Sequence, residues 1–417
     1  MSLKNRKILL GVTGSIAAYK ACDLVQRLKE KGAAVRVVMT HSATRVVHPN
    51  TFAALTGAPV LIDTWDGVAQ GAMPHIEAAR WADLFLIAPC TAHTLAELSY
   101  GLTGSAVSMT ALAYRGPLAV APAMNSVMLD AAPVREHLDR LTTRGVHVLP
   151  TLNGNLACGE VGEGKLTTPE ELAAYAEMIL AFDDALPDLT GKQVLISGGH
   201  TEEPLDGVRF LSNRSSGKTA IAIARAFRLA GADVHLVLGS AEEAEPNGMM
   251  LTSVRTSAEF RAALLAAQRT ADGIVMAAAI ADFVPEAPSA LEKWKASREM
   301  KSLALTPTPN ILEELGKGKP KGQVLVGFAL ESIDARARAL EKMTTRHCDL
   351  MVVNKPLGRA GTGFGQDTVQ AAILSPHDGS DDADLRLLGK DELAVNLVRR
   401  VSALWSSTTT KSAWSAA

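Results

Sequence analysis

The sequence predicts an α/β protein with two doubly wound, Rossmann-like domains. Each half opens with an apolar strand that runs into a glycine-containing turn, then an amphipathic helix ended by a glycine, then a second strand. Strand–helix–strand units with right-handed crossovers build parallel sheets, whose ligands bind at the carboxyl ends of the strands. The three elements are predicted at 7–12, 16–31 and 34–39 in the first half, and at 193–197, 218–229 and 234–238 in the second.

Further apolar runs extend both predicted sheets. The polar, proline-containing stretch 181–190 marks the boundary, so we expect domains at residues 1–190 and 191–405. The Ser/Thr-rich segment 406–417 is predicted to be a disordered tail. The additional strands are predicted at 84–88 and 118–121, then at 273–277, 324–328 and 350–353, with an antiparallel edge at 371–374 and 385–388.

Composition excludes several classes of protein. The 417 residues suffice for two or three domains of ~100–200 residues, and 47% hydrophobic residues can fill their cores. Lys and Arg (42) nearly balance Asp and Glu (44), which argues against a polybasic partner of nucleic acid or membrane. The apolar run 8–12 is too short for a signal sequence or a membrane span.

The cysteines indicate a reducing compartment. Cys22, Cys90, Cys158 and Cys348 are far apart and form no CxxC pair, so neither a disulfide framework nor a zinc knuckle is predicted. We therefore expect a cytoplasmic protein. Cys158 differs from the others because it lies in a glycine-studded loop over 155–165 with few apolar neighbours. A thiol on such a flap can meet a ligand and exchange a proton with it.

In the first half, polar residues follow each predicted strand. Gly14 and Ser15 begin a helix whose free N–H groups suit a phosphate, but the turn is not GxGxxG, which disfavours a standard dinucleotide site. Thr91 and Asn125 follow the next two strands, where open α/β sheets bind ligands. His75 precedes a short helix, and an imidazole titrates near neutral pH, as a base requires. Each residue alone is equally typical of ordinary structure.

In the second half, the ending Gly217-Lys218-Thr219 imitates a P-loop, but Ser212 stands where the first glycine is required. The P-loop hypothesis therefore fails. A Ser/Gly turn at a helix N-terminus remains, and this arrangement favours an anion. Asp282 lies at a strand end rich in small residues. The charged run 292–295 is typical of a solvated face.

Several first-half motifs together resemble the flavin-dependent cysteine decarboxylases, and among them the bifunctional bacterial phosphopantothenoylcysteine decarboxylase/phosphopantothenate–cysteine ligases. The resemblance covers roughly residues 6–170 and implies a flavodoxin-like domain that binds FMN. The motifs are Gly11-Val12-Thr13-Gly14-Ser15, Pro74-His75-Ile76, Ala121-Pro122-Ala123-Met124-Asn125 and Ala157-Cys158-Gly159. By this resemblance, the FMN contacts are Gly14, Ser15, Ser42 and Thr91, the base is His75, the residue for the substrate carboxylate is Asn125, and the proton donor is Cys158.

The implied chemistry needs a flavin. A carboxylate α to an amide nitrogen has no electron sink for loss of CO2, and oxidation of the CH2–SH group to a thioaldehyde creates one. Three positions depart from the family pattern. His93 replaces the usual Asn, Glu97 stands where Lys is common, and Cys90 replaces a small residue.

The second half resembles the ligase domain of the same bifunctional family over roughly residues 191–402. The resemblance implies 4′-phosphopantothenate, L-cysteine and CTP as substrates, with Mg2+ of unassigned ligands, and an acyl-cytidylate intermediate. Departures are Leu330 in the Gly-Phe-Ala-Ala-Glu pattern and Lys355-Pro356 after Asn354. The family assigns Lys293 to activation of the carboxylate and Asn213 and Arg209 to the acyl-cytidylate, with Met276, Ala277, Ala278, Asp282, Phe328, Lys342 and Arg346 at the nucleotide.

Other hypotheses explain less of the chain. A peptide-cysteine decarboxylase leaves the second half unexplained, and a flavin prenyltransferase needs no Cys158 flap. A non-catalytic relative would have lost His75, Asn125 or Cys158, and a dehydrogenase-like protein needs GxGxxG. The resemblance also implies a homo-oligomer, with trimers or larger assemblies of the decarboxylase domain and dimers of the ligase domain.

Overall fold

The computed structural model describes residues 3–63, 73–182, 186–243, 246, 248–286, 302–331, 334–355, 365–376 and 385–414, with 408–414 as backbone only. The chain divides into two compact units, Met1–Ala185 and Leu186–Ala417. This division falls inside the polar stretch chosen as the boundary, five residues before the predicted position.

The first unit contains a five-stranded parallel sheet in the order β2-β1-β3-β4-β5. The strands are near-continuous apolar runs because both faces of a parallel sheet are covered by helices. β3, for example, is buried along its whole length. The order is that of flavodoxin-like doubly wound folds, as predicted. The strands are β1 Lys7–Val12, β2 Ala34–Met39, β3 Leu84–Cys90, β4 Leu118–Pro122 and β5 His147–Val148.

The helices of this unit follow local sequence signals. α1 buries Leu24, Val25 and Leu28 on one face, and the helix predicted from residue 16 begins with a 3-10 turn, Ile16–Tyr19. Proline occupies the first turn of α2, α3 and α7, where its missing N–H is harmless. The helices are α1 Lys20–Glu30, α2 Pro49–Thr56, α3 Pro74–Trp81, α4 Ala92–Tyr100, α5 Ala106–Ala113, α6 Ser126–Asp130, α7 Ala132–Thr143 and α8 Pro169–Phe182.

The glycine-rich loop around Cys158 is a β-hairpin. β6 Leu152–Asn155 pairs antiparallel with β7 Val161–Lys165, forming a separate two-stranded sheet. Residues 156–160 form its turn, closed by the bond from Leu156 N to Glu160 O (2.8 Å). We call β6, this turn and β7 the flap hairpin.

The second unit contains an eight-stranded sheet in the order β12-β11-β8-β13-β16-β17-β18-β19. The pairs up to β17 are parallel, and β18 and β19 add the predicted antiparallel edge. The strands are β8 Gln193–Gly198, β11 Asp233–Leu238, β12 Met250–Ser253, β13 Gly273–Met276, β16 Val324–Leu330, β17 Leu350–Lys355, β18 Thr368–Leu374 and β19 Arg386–Gly389.

Two small antiparallel pairs and five helices complete the described part of this unit. β9 Glu202–Pro204 pairs with β10 Phe210–Ser212, and β14 Phe283–Pro285 pairs with β15 Leu305–Pro307. The helices are α9 Lys218–Leu229, α10 Ser257–Ala267, α11 Ile311–Lys317, α12 Ala335–Thr345 and α13 Lys390–Trp414.

The C-terminal segment corrects one prediction. Residues 406–414, expected to be a disordered tail, continue α13, and 415–417 lie outside the described residues. The prediction rested on the composition of this segment alone. It did not consider the preceding turns of α13, which bury Leu397, Val401 and Trp405. Once packing has nucleated a helix, each further residue extends it at little cost. Within the described residues, no helix combines the length and apolar character required to cross a membrane.

Candidate active sites

In the first unit, Thr13 ties two strand ends together. Its hydroxyl donates to the carbonyl of Pro89 (2.8 Å) and accepts from the N–H of Thr91 (3.0 Å), so the loop after β1 lies against the end of β3. A Cβ on Gly14 would lie 2.5 Å from the Cβ of Ser42, so only glycine permits this approach. The expected FMN contacts Gly14, Ser42 and Thr91 therefore converge at one sheet edge.

Ser15 and Thr91 cap the helices that start at this edge. The Ser15 hydroxyl accepts from Ala17 N (3.3 Å), and the Thr91 hydroxyl accepts from Thr94 N (3.4 Å). Side-chain caps of this kind fix where each helix begins. The free N–H groups of both first turns thus face the edge at which ligands of doubly wound sheets bind.

His75 lies in the first turn of α3 and has a buried polar atom without a partner. Among the described residues, its Nδ1 makes no hydrogen bond. Leaving such an atom unsatisfied costs about 1–3 kcal/mol. Buried polar atoms are almost always bonded, so this nitrogen is available to a bound group.

Asn125 brings the flap hairpin and the sheet edge together. Its Oδ1 accepts from Val127 N (2.8 Å), which caps α6. Its Nδ2 donates to Cys158 Sγ (3.3 Å) and to Glu160 Oε2 (2.5 Å). The structure therefore places Asn125 and Cys158, two predicted site residues 33 positions apart, in direct contact, with the thiol exposed.

The flap hairpin is anchored by backbone contacts to the loop after β4. Met124 N donates to Gly164 O (3.0 Å), and the Ser126 hydroxyl donates to Glu163 O (2.6 Å). A Cβ would lie 2.3 Å from Ser126 Oγ at Gly162 and 2.2 Å from Met124 O at Gly164. Both glycines are therefore required for the hairpin to lie against Asn125.

Sequence reasoning missed two polar residues of this site. Thr13 joins the two strand ends, and its only signal is its place directly after an apolar strand. Glu160 follows Cys158 by two residues in the turn, and its contact with Asn125 depends on how the hairpin folds back. No spacing in the chain predicts that contact.

The family departures form a cluster beside Thr91. Glu97 is buried, accepts from the Ser105 hydroxyl (3.0 Å) and lies 3.5 Å from Nε2 of the exposed His93. Cys90 is fully buried, and this burial, with a smaller contribution from Glu97, strongly raises the pKa of its thiol. Cys90 is therefore an inert core thiol, unlike Cys158.

In the second unit, the loops after β8, β11 and β13 meet at a switch point of the strand order. Gly199 has φ +75°, and a Cβ there would lie 2.6 Å from Ser240 O. His200 N donates to Ser240 O (2.9 Å), and His200 Nδ1 lies 2.7 Å from Ser215 O. Doubly wound sheets bind their ligands at this location.

The predicted ligase residues Asn213 and Arg209 lie on or beside β10. Asn213 Nδ2 donates to Ala279 O (3.3 Å) and Ile280 O (3.1 Å), which joins it to the loop after β13. Arg209 Nε lies 3.1 Å from the buried carboxylate of Asp206. The structure thus brings Asn213 together with the small-residue segment expected at the nucleotide, while Arg209 pairs with Asp206.

Lys218 begins α9 after Gly217, whose φ is +78°. Its ammonium lies 2.8 Å from Asp367 and 3.4 Å from Glu243. The hydrogen bond to Asp367 is the main cause that raises the pKa of Lys218. The anion-favouring turn predicted from Gly217-Lys218 is therefore present, with a lysine already held by carboxylates.

The remaining predicted nucleotide residues are spread over three elements. Met276 ends β13, and Ala277 N and Ala278 N donate to the carbonyl and the hydroxyl of Ser197 (3.2 and 3.3 Å). Asp282 is exposed just before β14, and Phe328 lies within β16.

Lys342 and Arg346 lie one turn apart at the end of α12, and Lys342 Nζ lies 2.5 Å from Oε1 of the buried Glu331.

The family departures Leu330 and Lys355 end β16 and β17, and Pro356 lies outside the described residues, as does Lys293. Within the described ranges, no three His, Cys, Asp or Glu side chains cluster as a metal site, so the Mg2+ ligands stay unassigned.

Comparisons with known proteins identify the family of both halves. The family model described as Flavoprotein matches residues 1–180, and the one described as DNA/pantothenate metabolism flavoprotein C-terminal domain matches 189–404. The chain is 38% identical to the coenzyme A biosynthesis bifunctional protein CoaBC of Bacillus subtilis (strain 168), over 97% of this chain and 99% of that protein. It is 36% identical to the same-named protein of Escherichia coli (strain K12), over 88% of this chain and 90% of that protein.

Among solved structures, the C-terminal domain of a coenzyme A biosynthesis bifunctional protein CoaBC is 26% identical, covers 53% of this chain and 98% of its own, and has a TM-score of 0.42. The FMN binding protein AtHal3 is 30% identical and has a TM-score of 0.39. The match covers 42% of this chain and 96% of AtHal3. From the family models and the near full-length identity, the chain belongs to the family of coenzyme A biosynthesis bifunctional proteins.

Proposed function

We propose that this chain catalyses two consecutive steps of coenzyme A synthesis. The second unit ligates 4′-phosphopantothenate to L-cysteine with CTP and Mg2+, and the first unit decarboxylates the product to 4′-phosphopantetheine with FMN. The observation that carries the decarboxylase proposal is Asn125, whose amide donates at once to a thiol and to a carboxylate. A carboxylate-binding amide beside a proton-donating thiol is what this reaction needs.

The residues of the first unit fit FMN. Gly14, Ser15, Ser42 and Thr91 lie on loops and helix starts at the carboxyl edge of the sheet, where N–H groups and hydroxyls suit a phosphate. The buried Nδ1 of His75, which has no hydrogen-bond partner among the described residues, gives further support, because a bound group could satisfy it. When bound, FMN oxidises the substrate CH2–SH group and later returns the electron pair, so the net reaction is non-oxidative.

The protein side chains bind the substrate and move protons. Asn125 Nδ2 orients the carboxylate that leaves as CO2. His75 accepts a proton during oxidation of the thiol-bearing carbon. Cys158 donates a proton to the enethiol carbon as the reduced product forms. The flap hairpin brings Cys158 over Asn125, so proton donation occurs at the carbon from which CO2 has departed.

The second unit activates a carboxylate before an amine attacks it. The 4′-phosphopantothenate carboxylate displaces pyrophosphate from CTP, and the acyl-cytidylate then loses CMP to cysteine. Lys293 stabilises the charge that develops on the triphosphate, together with Mg2+. Asn213, joined to the segment at Ala279 and Ile280, positions the acyl-cytidylate. The nucleotide would be held by Asp282, Phe328, Lys342 and Arg346, together with Met276, Ala277 and Ala278.

The assembly is proposed from the same family. Trimers or larger assemblies form through the first unit and dimers through the second. Exposed apolar side chains of the first unit, including Ile16 (63% exposed) and Tyr19 (61%), give it surface for such contacts.

One reaction tests both activities. Purified protein is incubated with 4′-phosphopantothenate, cysteine, CTP and Mg2+, and the products are measured by mass spectrometry. We expect 4′-phosphopantetheine, CMP and CO2. Accumulation of phosphopantothenoylcysteine alone would contradict the decarboxylase and point to the cluster of Cys90, His93 and Glu97. Absence of both products would contradict the proposal and favour a non-catalytic binding protein.

A further inference from the structure

Glu160 is a second functional group in the turn of the flap hairpin. Its side chain is exposed, yet Oε2 accepts from Asn125 Nδ2 (2.5 Å) and from Cys158 Sγ (3.6 Å). Asn125 Nδ2 itself donates to Cys158 Sγ (3.3 Å). Amide, thiol and carboxylate thus form a closed triangle of hydrogen bonds in which each group contacts the other two.

The amide of Asn125 has no donor left over in this arrangement. Its oxygen is occupied by Val127 N (2.8 Å), and its two N–H groups are directed to Cys158 and Glu160. An incoming carboxylate that binds Asn125 Nδ2 must therefore displace the Glu160 carboxylate or the Cys158 thiol from it. Glu160 makes the same charge-assisted contact that such a ligand would make.

The contact to the thiol has a second consequence. Cys158 Sγ donates its hydrogen to a carboxylate, and hydrogen bonds to a charged acceptor are stronger than neutral ones. Glu160 therefore holds the thiol in place and makes it less available to other reactants. The bond to Glu160 also sets the direction in which the Cys158 side chain points.

We propose that Glu160 is a positioning residue of the decarboxylation. It holds the Cys158 thiol aligned beside Asn125, and it occupies the position of a carboxylate on Asn125 until the substrate carboxylate displaces it. This inference rests on the proposed decarboxylase function, because it assigns the same amide to the substrate.

Glu163 provides a matched control on the same hairpin. Its side chain is also exposed, but its Oε1 accepts from the Thr151 hydroxyl (2.8 Å). Neutralising either glutamate changes the hairpin charge by the same amount. An effect specific to Glu160 therefore reports its contacts with Asn125 and Cys158.

The first measurement needs no substrate. Full-length wild type, Glu160→Gln and Glu163→Gln are treated with iodoacetamide at neutral pH, and mass spectrometry follows alkylation of Cys158. The other thiols react slowly, since Cys90 and Cys348 are buried and Cys22 is half-buried. We expect Glu160→Gln to react at least threefold faster than wild type and Glu163→Gln to match wild type. Equal rates for all three proteins would overturn the inference.

The second measurement uses phosphopantothenoylcysteine and counts CO2 and 4′-phosphopantetheine separately. We expect Glu160→Gln to release CO2 with at least a threefold lower KM, because a neutral amide competes less for Asn125. In aerated buffer, dissolved O2 takes the electron pair from the flavin whenever the enethiol leaves unreduced. Product formed per CO2 should then fall at least threefold, because the thiol is no longer aligned, and Glu160→Asp should restore part of it. A merely structural role would lower CO2 and product together.

The outcomes separate this role from the function on which it rests. Wild type that releases no CO2 would overturn the proposed decarboxylase and this role with it. Wild type that is active, with Glu160→Gln giving the wild-type KM and one product per CO2, would overturn the role of Glu160 alone.

Discussion

At the residue scale, Asn125 shows how one side chain serves both the fold and the chemistry. Its oxygen caps α6, and this bond fixes the orientation of the amide so that the nitrogen faces the flap hairpin. A cap that cannot rotate is a preorganised donor for a carboxylate. The free energy that stabilises the helix start therefore also orients the proposed binding group.

Cys158 carries the first prediction. Replacement by serine puts a hydroxyl near Asn125 in place of the thiol, and a hydroxyl is a far weaker acid. We expect Cys158→Ser to release about one CO2 per bound FMN and to stop at the oxidised enethiol, because the electron pair stays on the flavin, with 4′-phosphopantetheine reduced by about 10²-fold or more. Mass spectrometry of the products measures this. Cys22→Ser, at a half-buried position elsewhere, is the control, and normal product from Cys158→Ser would remove this thiol from the mechanism.

The second prediction concerns Asn213. Its amide donates to the carbonyls of Ala279 and Ile280, and a carboxylate would repel both. We expect Asn213→Asp to accumulate acyl-cytidylate and to lower cysteine-dependent turnover at least tenfold. Quenched-flow mass spectrometry detects the intermediate. Asn310→Asp is the control, because Asn310 caps α11 through its oxygen and aspartate preserves that bond. Unchanged turnover in Asn213→Asp would contradict the assignment.

At the scale of elements, the flap hairpin depends on glycines more than on apolar packing. Val161 on β7 is 74% exposed. The hairpin is held by a backbone bond from Met124 to Gly164 and by a bond from the Ser126 hydroxyl to the Glu163 carbonyl. Two-stranded hairpins are marginal in water. The position of Cys158 is therefore set by how closely β7 approaches Met124 and Ser126.

Gly164 tests this dependence. It has φ +119°, and a Cβ would lie 2.2 Å from Met124 O, so Gly164→Ala should displace β7 and break the contact of Cys158 with Asn125. We expect decarboxylation to fall at least tenfold while ligation stays normal, in assays that supply each substrate separately. Gly145→Ala is the control, because Gly145 also has positive φ (+80°), but no atom of the described residues would lie within 4 Å of its Cβ.

Backbone strain of about 1–3 kcal/mol is common to both alanine variants. A comparable loss of decarboxylation in Gly145→Ala would show that strain, rather than the collision with Met124, causes the effect.

At the scale of the whole molecule, both units use the same type of fold but present different chemical groups. Both units place their polar loops at the carboxyl edge of a doubly wound parallel sheet. The first presents a thiol, an imidazole and an amide, and the second presents glycine turns, an amide and lysines. Each proposed reaction thus has its own sheet edge. We therefore expect a substitution in one site to leave the reaction of the other unchanged.

Lys293 tests that independence. Its proposed role is to stabilise charge on the triphosphate, so Lys293→Gln should lower the rate of acyl-cytidylate formation at least tenfold. Decarboxylation of supplied phosphopantothenoylcysteine should be unchanged. Product analysis by mass spectrometry measures both, with Lys321→Gln at an exposed position as the control. Acyl-cytidylate formed at the normal rate would remove Lys293 from the first step.

The sequence by itself determined the two α/β units and their strand–helix order. Hydrophobic periodicity and glycine punctuation are local, so a single chain displays them directly. The predicted strands at 84–88 and 118–121, for example, are β3 and β4, and the antiparallel edge at 371–374 is part of β18. Motifs read in order also identified the family, because several short matches in sequence are specific together.

Only the tertiary structure decided which polar groups touch. The hydrogen bonds of Asn125 to Cys158 and Glu160, and of Asn213 to Ala279 and Ile280, join segments more than 30 residues apart. The helical state of 406–414 likewise depends on the packing of earlier turns. Such contacts arise from chain folding in three dimensions, and no linear spacing encodes them.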